Sequence, residues 1–218
     1  MNRSIPIPGD AELRFFGKIT ASFNHDVRNA LATINENAGL LMDYSAMVSR
    51  ERPLDPNKVS TLAKRIADQV KRADGLIKSM SLFSHSVDES LKTLDLNESL
   101  QLLAAVSGRF ASMKQVTLHV QRSENPVEIR TSPFLMLYIL FICLEFAIQT
   151  AGKNQTVELM PQISKLGKSV RFGPLSELAQ MPPETWPSVR ISDLLPFLKT
   201  SFIVDIKAEN IVLVFSET

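Results

Sequence analysis

The chain has 218 residues, enough for one large domain or two small ones, and 44% of them are hydrophobic, which is enough to build a core. Its 24 Lys and Arg residues nearly balance its 23 Asp and Glu residues, so no basic excess predicts binding to nucleic acid or to an anionic membrane. The single cysteine, Cys143, lies in an apolar run; we interpret it as a core residue and exclude a disulfide framework.

The N-terminal sequence MNRSIPIPGD lacks the apolar stretch of a signal peptide. The longest apolar run, residues 134–148, is short for a membrane span and contains Glu145, so it predicts a buried helix. From these features we expect a soluble cytoplasmic protein without a membrane segment.

Two long helices are predicted in the first part of the chain. The first extends from about residue 10 to residue 48 and carries one apolar stripe at steps of three and four: Phe16, Ile19, Phe23, Val27, Ala30, Ile34, Ala38 and Leu41. The polar segment 49–54 predicts a loop, after which Asp55 is expected to cap the second helix, with Pro56 at its first position. The second stripe comprises Val59, Leu62, Ile66, Val70, Ala73, Ile77, Met80 and Phe83.

Two such helices with a short connection predict an antiparallel hairpin. A lone hairpin cannot bury both stripes well, whereas two hairpins packed together form a four-helix bundle with a closed core. We therefore predict a homodimer. The alternative is that the stripes pack against the C-terminal part of the same chain.

Helices and strands alternate after about residue 90. Asn97 is expected to cap a helix that continues to Phe110, and Ser132-Pro133 to open another that ends near Gly152. Alternating or apolar segments predict strands at 116–120, 127–129, 157–163 and 169–172, and a closing hairpin at 202–206 and 211–215. This order predicts an α+β sandwich over residues 91–218, after a helical hairpin over residues 1–90.

Residues 23–30, with the sequence FNHDVRNA, combine a histidine, an adjacent carboxylate and an amide four residues after the histidine. His25 lies two residues from Phe23 and two from Val27, so it is expected to point away from the apolar stripe. A histidine on the outer face of a long helix is accessible to a partner, and packing does not require it there.

These two parts together resemble the sensor histidine kinases. Residues 23–34 are similar to the phosphoacceptor motif of that family, S-H-E-x-R-N-P-L-x-x-I, and residues 94–98 (LDLNE) to the usual entry to its ATP-binding domain. Residues 138–150 fall where the family has its N-box helix. The resemblance implies a dimeric phosphotransfer hairpin followed by a kinase-type ATPase sandwich.

The residues with which that family binds nucleotide are replaced in this chain. The two N-box asparagines correspond to Ile142 and Phe146, whose side chains cannot coordinate a metal. Gly173 is the last glycine, so the later glycine-rich lid is absent, and a loop without glycine is a poor cradle for phosphate. Aligned on residues 181–184 (MPPE), the D-x-G-x-G motif of the family becomes Ser176, Leu178 and Gln180. We therefore expect a degenerate ATPase domain that does not bind ATP.

His25 is the predicted phosphoacceptor, because an imidazole titrates near neutrality and can attack phosphorus. Asp26 could orient the ring or accept its proton. Asn29 lies about 40° around the helix and one turn further on; the resemblance implies that its amide positions a water against an aspartyl phosphate. We assign a partner-binding role, in contact with a docked receiver domain, to Arg28, Ala32, Glu36 and Asn37.

Three functions are compatible with the sequence. The first is a histidine phosphotransferase that exchanges phosphoryl groups with the receiver aspartates of response regulators through His25. The second is a response-regulator phosphatase that uses Asp26 and Asn29. The third is a non-catalytic module that only docks receivers. In each case we expect no cofactor or metal on this chain, and the resemblance implies Mg²⁺ on the partner receiver domain.

Overall fold

The computed structural model describes residues 9–48, 55–164, 167–181 and 189–216. Helices in these ranges are α1 (Asp10–Val48), α2 (Pro56–Ser84), α3 (Leu96–Met113), α4 (Pro133–Thr150) and α5 (Val189–Leu198). Strands are β1 (Lys92–Asp95), β2 (Thr117–Val120), β3 (Glu128–Thr131), β4 (Thr156–Ser164), β5 (Gly167–Gly173), β6 (Thr200–Asp205) and β7 (Asn210–Phe215). The predicted α+β class is confirmed.

The two long helices have the predicted bounds. Asp10 and Glu12 lie in the first turn of α1, where carboxylates complement the positive end of the helix dipole. Asp55 caps α2 as predicted: its Oδ1 accepts a hydrogen bond of 2.9 Å from the Asn57 backbone N–H, and Pro56 begins the helix. The loop predicted at 49–54 lies outside the described residues.

The apolar stripes of α1 and α2 are only partly covered within one chain. Ile19, Ala30 and Leu62 are buried, but Val70 and Ile77 are 53% and 54% exposed. At the start of α1 the buried aromatic residue is Phe15, at 3% exposure, rather than the predicted Phe16, which is half-buried.

The described residues form two compact units. One comprises Gly17–Ser81, and the other contains the residues before Gly17 together with those from Leu82 onward. In the second unit, Phe15 of α1 contacts four aromatic rings, with centroid distances of 4.9–5.7 Å: Phe83, Phe134, Tyr138 and Phe141. The first turns of α1 and the end of α2 are therefore packed onto α4. The predicted domain boundary at residue 90 stays a prediction.

The second unit is built on a five-stranded sheet of order β2-β4-β5-β7-β6. β2 and β4 are parallel, and the other neighbours are antiparallel. The hairpin predicted from the closing segments is formed by β6 and β7, with Glu209 before β7 at φ +51°. A separate antiparallel ribbon pairs β1 with β3, with Thr93 opposite Arg130.

α4 is the central core helix of this unit, and it contacts α3, α5, β5 and β7. Its length and composition alone would allow it to cross a membrane, but 83% of the helix is buried inside the chain's own fold. The prediction of a buried helix from the run 134–148 is confirmed, and Pro133 occupies the first turn as expected.

Three local features differ from what the sequence predicted: one helix cap was misplaced, and one strand and one helix were missed. The cap of α3 is Asp95, not Asn97: the Asp95 side chain accepts from the Asn97 backbone N–H at 3.0 Å, so the helix begins before Asn97. β1 was not predicted, because its four residues show no clear alternation of apolar and polar side chains. α5 was also not predicted, because it contains Pro196, a residue that normally interrupts helices.

Candidate functional site

His25 lies near the middle of α1, and its side chain is 46% exposed. The flanking stripe residues Phe23 and Val27 are half-buried, and Ala30 is fully buried. The helix therefore presents the imidazole on its outer face while the apolar residues on either side pack inward, as the spacing predicts.

Two polar side chains approach the same ring nitrogen of His25. The Asn29 Nδ2 amide lies 3.1 Å from His25 Nδ1, within hydrogen-bond distance. Asp26 Oδ1 lies 3.6 Å from Nδ1, which is too long for a hydrogen bond, so this contact is electrostatic. Both groups act on Nδ1, and the tautomer of the ring decides which of them is favoured.

The backbone of Asn29 makes a contact of its own: its carbonyl accepts a hydrogen bond of 3.1 Å from the Thr33 hydroxyl. This i to i−4 bond ties the turn that contains His25 to the next turn of α1. Thr33 was not singled out from the sequence. Its spacing of four from Asn29 was the available signal, because Thr hydroxyls at this spacing reach backbone carbonyls in helices.

The predicted partner-binding residues divide into two groups. Arg28, Ala32 and Glu36 are exposed, in agreement with an outer face shared with His25. Asn37 is only 4% exposed, so its predicted position on that face is wrong. It lies twelve residues from His25, about 120° away around the helix, and its side chain donates to the Thr33 carbonyl at 2.7 Å.

A cavity of about 380 Å³ lies between α1 and α2, and Glu36 and Asn37 line it on the α1 side. Arg65, Asp68 and Gln69 line it on the α2 side. The Oε1 atom of Gln69 is buried and accepts no hydrogen bond among the described residues. These α2 residues were not predicted, because only the exposed face of α1 carried a recognisable motif.

In the second unit, the positions that correspond to the N-box asparagines lie on α4. Phe146 is 6% exposed and belongs to the core, and Ile142 is half-buried. Both side chains contribute apolar surface at the place where the motif requires polar groups.

The loop after β5 packs against the end of α4 through its own residues. The Ser176 hydroxyl donates to the Ala151 carbonyl at 2.7 Å, and the Glu177 backbone N–H donates to the Thr150 carbonyl at 2.8 Å. Leu178 is 4% exposed and fills the loop, whereas Gln180 faces solvent. The loop is thus anchored by Ser176 and Glu177 and filled by Leu178.

The Pro-Pro-Glu part of the 181–184 segment, on which the motif alignment rests, falls in the range 182–188 and lies outside the described residues. Its role therefore stays a prediction.

Other reactive groups contribute little to the site. Burial raises the pKa of the Cys143 thiol well above its ordinary value, and its Sγ donates to the Ile139 carbonyl at 3.0 Å, consistent with a core residue. No group of three or more His, Cys, Asp or Glu side chains suited to a metal ion occurs in the part of the chain that the structure describes.

No protein-family model matches the chain. Over 149 residues, 66% of the chain, it is 27% identical to the sensor protein kinase PilS of Pseudomonas aeruginosa, and it spans 26% of that kinase's length. Among solved structures it is similar to a bacterial phosphotransferase, with a TM-score of 0.45 and 13% identity over 96% of this chain and 98% of that one.

The histidine kinase ThkA, solved in complex with the response regulator TrrA, has a TM-score of 0.42 and 14% identity, covering 92% of this chain and 61% of that one. These two structural similarities concern the backbone fold alone. By sequence the chain is similar to a sensor histidine kinase, and its structure has a helical N-terminal region and a C-terminal region built on a sheet.

Proposed function

We propose that the chain is a histidine phosphotransferase of two-component signalling, in which His25 exchanges phosphoryl groups with the receiver aspartate of a response regulator. The observation that carries this proposal is the half-exposed imidazole of His25, with Asp26 and Asn29 both directed at Nδ1. When Nδ1 carries the proton, the opposite ring nitrogen, Nε2, is the nucleophile; the Asn29 Nδ2 contact belongs to the other tautomer, in which Nδ1 accepts.

The chemistry depends on where the imidazole carries its proton. With the proton on Nδ1, the Asp26 carboxylate stabilises that tautomer and Nε2 presents its lone pair to phosphorus. The N–P bond forms as the P–O bond of the aspartyl phosphate breaks, and the receiver carboxylate leaves as the anion. Mg²⁺ held by the receiver would neutralise charge on the phosphoryl oxygens.

We propose that the active form is a homodimer formed through the hairpin. The support is apolar surface left uncovered within one chain on both helices of the Gly17–Ser81 unit: Leu31, Leu40, Met42, Val70 and Ile77 are each 41–73% exposed. Exposed apolar surface of this extent on a hairpin favours burial against a second copy.

We also propose that this chain does not bind ATP, so the phosphoryl group enters from another protein. The support is the apolar packing of Phe146 and Leu178, which are 6% and 4% exposed at positions where the family has an asparagine and a glycine. A phosphate cradle needs backbone that a side chain does not obstruct.

A receiver phosphatase is the second candidate, and the position of Asn29 favours it. This amide is exposed and lies one helical turn from His25, where it could hold a water in line with an aspartyl phosphate. In that reaction the phosphoryl group passes to water, and His25 is never phosphorylated.

The decisive experiment incubates the protein with a response-regulator receiver domain carrying labelled aspartyl phosphate. Transfer predicts label on the wild-type chain and none on His25→Ala, whose fold should be intact because the side chain is half exposed. The matched control is His85→Ala, another exposed histidine beside a carboxylate, at 2.7 Å from Asp88. Free phosphate without labelled protein would support the phosphatase, and receiver binding without either product would support a docking module.

A further inference from the structure

A second cavity lies in the sandwich unit, away from the residues that correspond to the nucleotide motifs. Its volume is about 360 Å³, and it is bordered by the β1–β3 ribbon and by the end of the five-stranded sheet where β5 begins and β7 ends. This size falls within the range of small-molecule sites, roughly 300–1,000 Å³.

The lining of this cavity is strongly basic. It contains Arg130, Lys168 and Lys199, and none of the three forms a salt bridge within the described residues. Glu128 is the one carboxylate among the described lining residues, and these residues together carry a net charge of +2. Like charges that line one cavity repel one another, and an anion in the cavity would relieve that repulsion.

Hydroxyl donors and apolar surface complete the cavity. Thr93, Thr131 and Ser216 supply hydroxyl groups, while Leu198 and Phe215 supply apolar surface. Phosphate oxygens accept hydrogen bonds from both cationic and hydroxyl donors. The apolar part favours an organic group attached to the phosphate.

Lys199 occupies a backbone position that favours glycine. It directly follows α5 with φ +52°, and its N–H donates to the Pro196 carbonyl at 3.3 Å, as in a left-handed helix cap. Glycine adopts this conformation without the steric cost that a lysine incurs. The charge of Lys199 complements the negative end of the dipole of α5, and it adds a third positive charge to the cavity lining.

We propose that this cavity binds a small phosphorylated molecule of about mononucleotide size or less, with Arg130, Lys168 and Lys199 around its phosphate. The concave shape favours a small ligand over the surface of an acidic protein. The site shares no residue with the phosphoacceptor turn on α1, and it requires neither phosphoryl transfer nor dimer formation.

The test uses inorganic pyrophosphate as the probe, titrated calorimetrically into the full chain at low ionic strength. We expect saturable binding that weakens about tenfold when one charge-assisted contact is removed, in Arg130→Gln and in Lys199→Gly. Lys207→Gln, which removes an exposed cation between β6 and β7, should bind like the wild type.

Lys199→Gly also distinguishes a loss of ligand affinity from a loss of fold stability. Since glycine suits the left-handed conformation, this variant should melt at the same temperature as the wild type or higher, while its pyrophosphate affinity falls. Absence of saturable binding would overturn the proposal, as would equal affinity in all four proteins or an equal loss in Lys207→Gln. An acidic peptide that binds through Arg130 where pyrophosphate does not would replace the small molecule by a protein partner and also overturn it.

Discussion

The outer face of α1 and the loop after β5 correspond to two motifs of the kinase resemblance. The motif residues are present on α1 and are substituted in the loop. On α1, His25, Asp26 and Asn29 are all present, and their polar atoms lie within 3.6 Å of one ring nitrogen. In the loop, Leu178 stands where the motif has a glycine, and it is 4% exposed.

The comparison distinguishes side chains that could serve chemistry from side chains that stabilise the fold. His25 is half exposed, so its identity contributes little to packing. 83% of α4 is buried, and the helix contacts α3, α5 and the sheet. A sandwich of this kind can lose its ligand and keep its fold, provided that apolar side chains occupy the positions left by the ligand-binding residues.

The largest expected effect is on the hairpin. Replacing Ile34 with Asp should dissociate the dimer or unfold the hairpin, because an unpaired buried charge costs roughly 3–5 kcal/mol. Sedimentation should give twice the chain mass for the wild type and a lower mass or aggregates for the variant. Lys64→Asp, on the exposed face of α2, is the control and should behave like the wild type. A wild-type monomer at micromolar concentration would contradict the proposed dimer.

The next effect compares two positions of the lost glycine motif. Leu178→Gly should lower the free energy of unfolding by about 2–5 kcal/mol, because it empties a buried site. Gln180→Gly should cost no more than about 1 kcal/mol, because that side chain faces solvent. Urea unfolding followed by circular dichroism measures both. Equal, small losses would mean that Leu178 does not support the loop, and the argument for a filled nucleotide site would fail.

The regular elements of this fold could be predicted because the sequence patterns there are long and strong. The stripes over α1 and α2, the Asp55-Pro56 start and the apolar run of α4 each span several turns or combine two signals. α5 could not be predicted in the same way, since Pro196 lies inside ten residues of helix. The start of α3 was misplaced because Asp and Asn are both favoured helix caps, and only the backbone geometry, with Asp95 extended, shows that Asp95 is the cap.

The sequence predicted only those residues of the candidate site that lie close to one another along the chain. His25, Asp26 and Asn29 lie within one turn, so helical geometry alone brings them together. Asn37 was misplaced because an angular difference of about 120° accumulates over twelve residues, and polar residues are usually exposed. Arg65, Asp68 and Gln69 face the α1 residues across the hairpin, and only the pairing of the two helices reveals them.

A smaller effect is expected in Asn29→Ala, which distinguishes transfer of the phosphoryl group to His25 from its release to water. Asn29→Ala should leave labelling of His25 in place but slow the loss of phosphate from the receiver about 10²-fold, since removal of one positioning contact typically costs this much. Radiolabel on the chain and on the receiver, followed over time, gives both rates. Asn35→Ala, an exposed asparagine on the same helix, should change neither rate. If Asn29→Ala instead abolished labelling, the amide would be needed for transfer itself.

The last prediction is that no ATP binding will be measured at the positions that correspond to the nucleotide motif. Calorimetry with Mg-ATP should give no saturable heat from these positions, because Phe146 and Leu178 fill them with apolar side chains. The proposed anion cavity could still attract the triphosphate, so the measurement is best made in Lys199→Gly, where we expect that binding to be weaker and the fold to be intact. Micromolar ATP binding in Lys199→Gly would show that the sandwich keeps a nucleotide site, and it would restore an ATP-dependent kinase as the leading function.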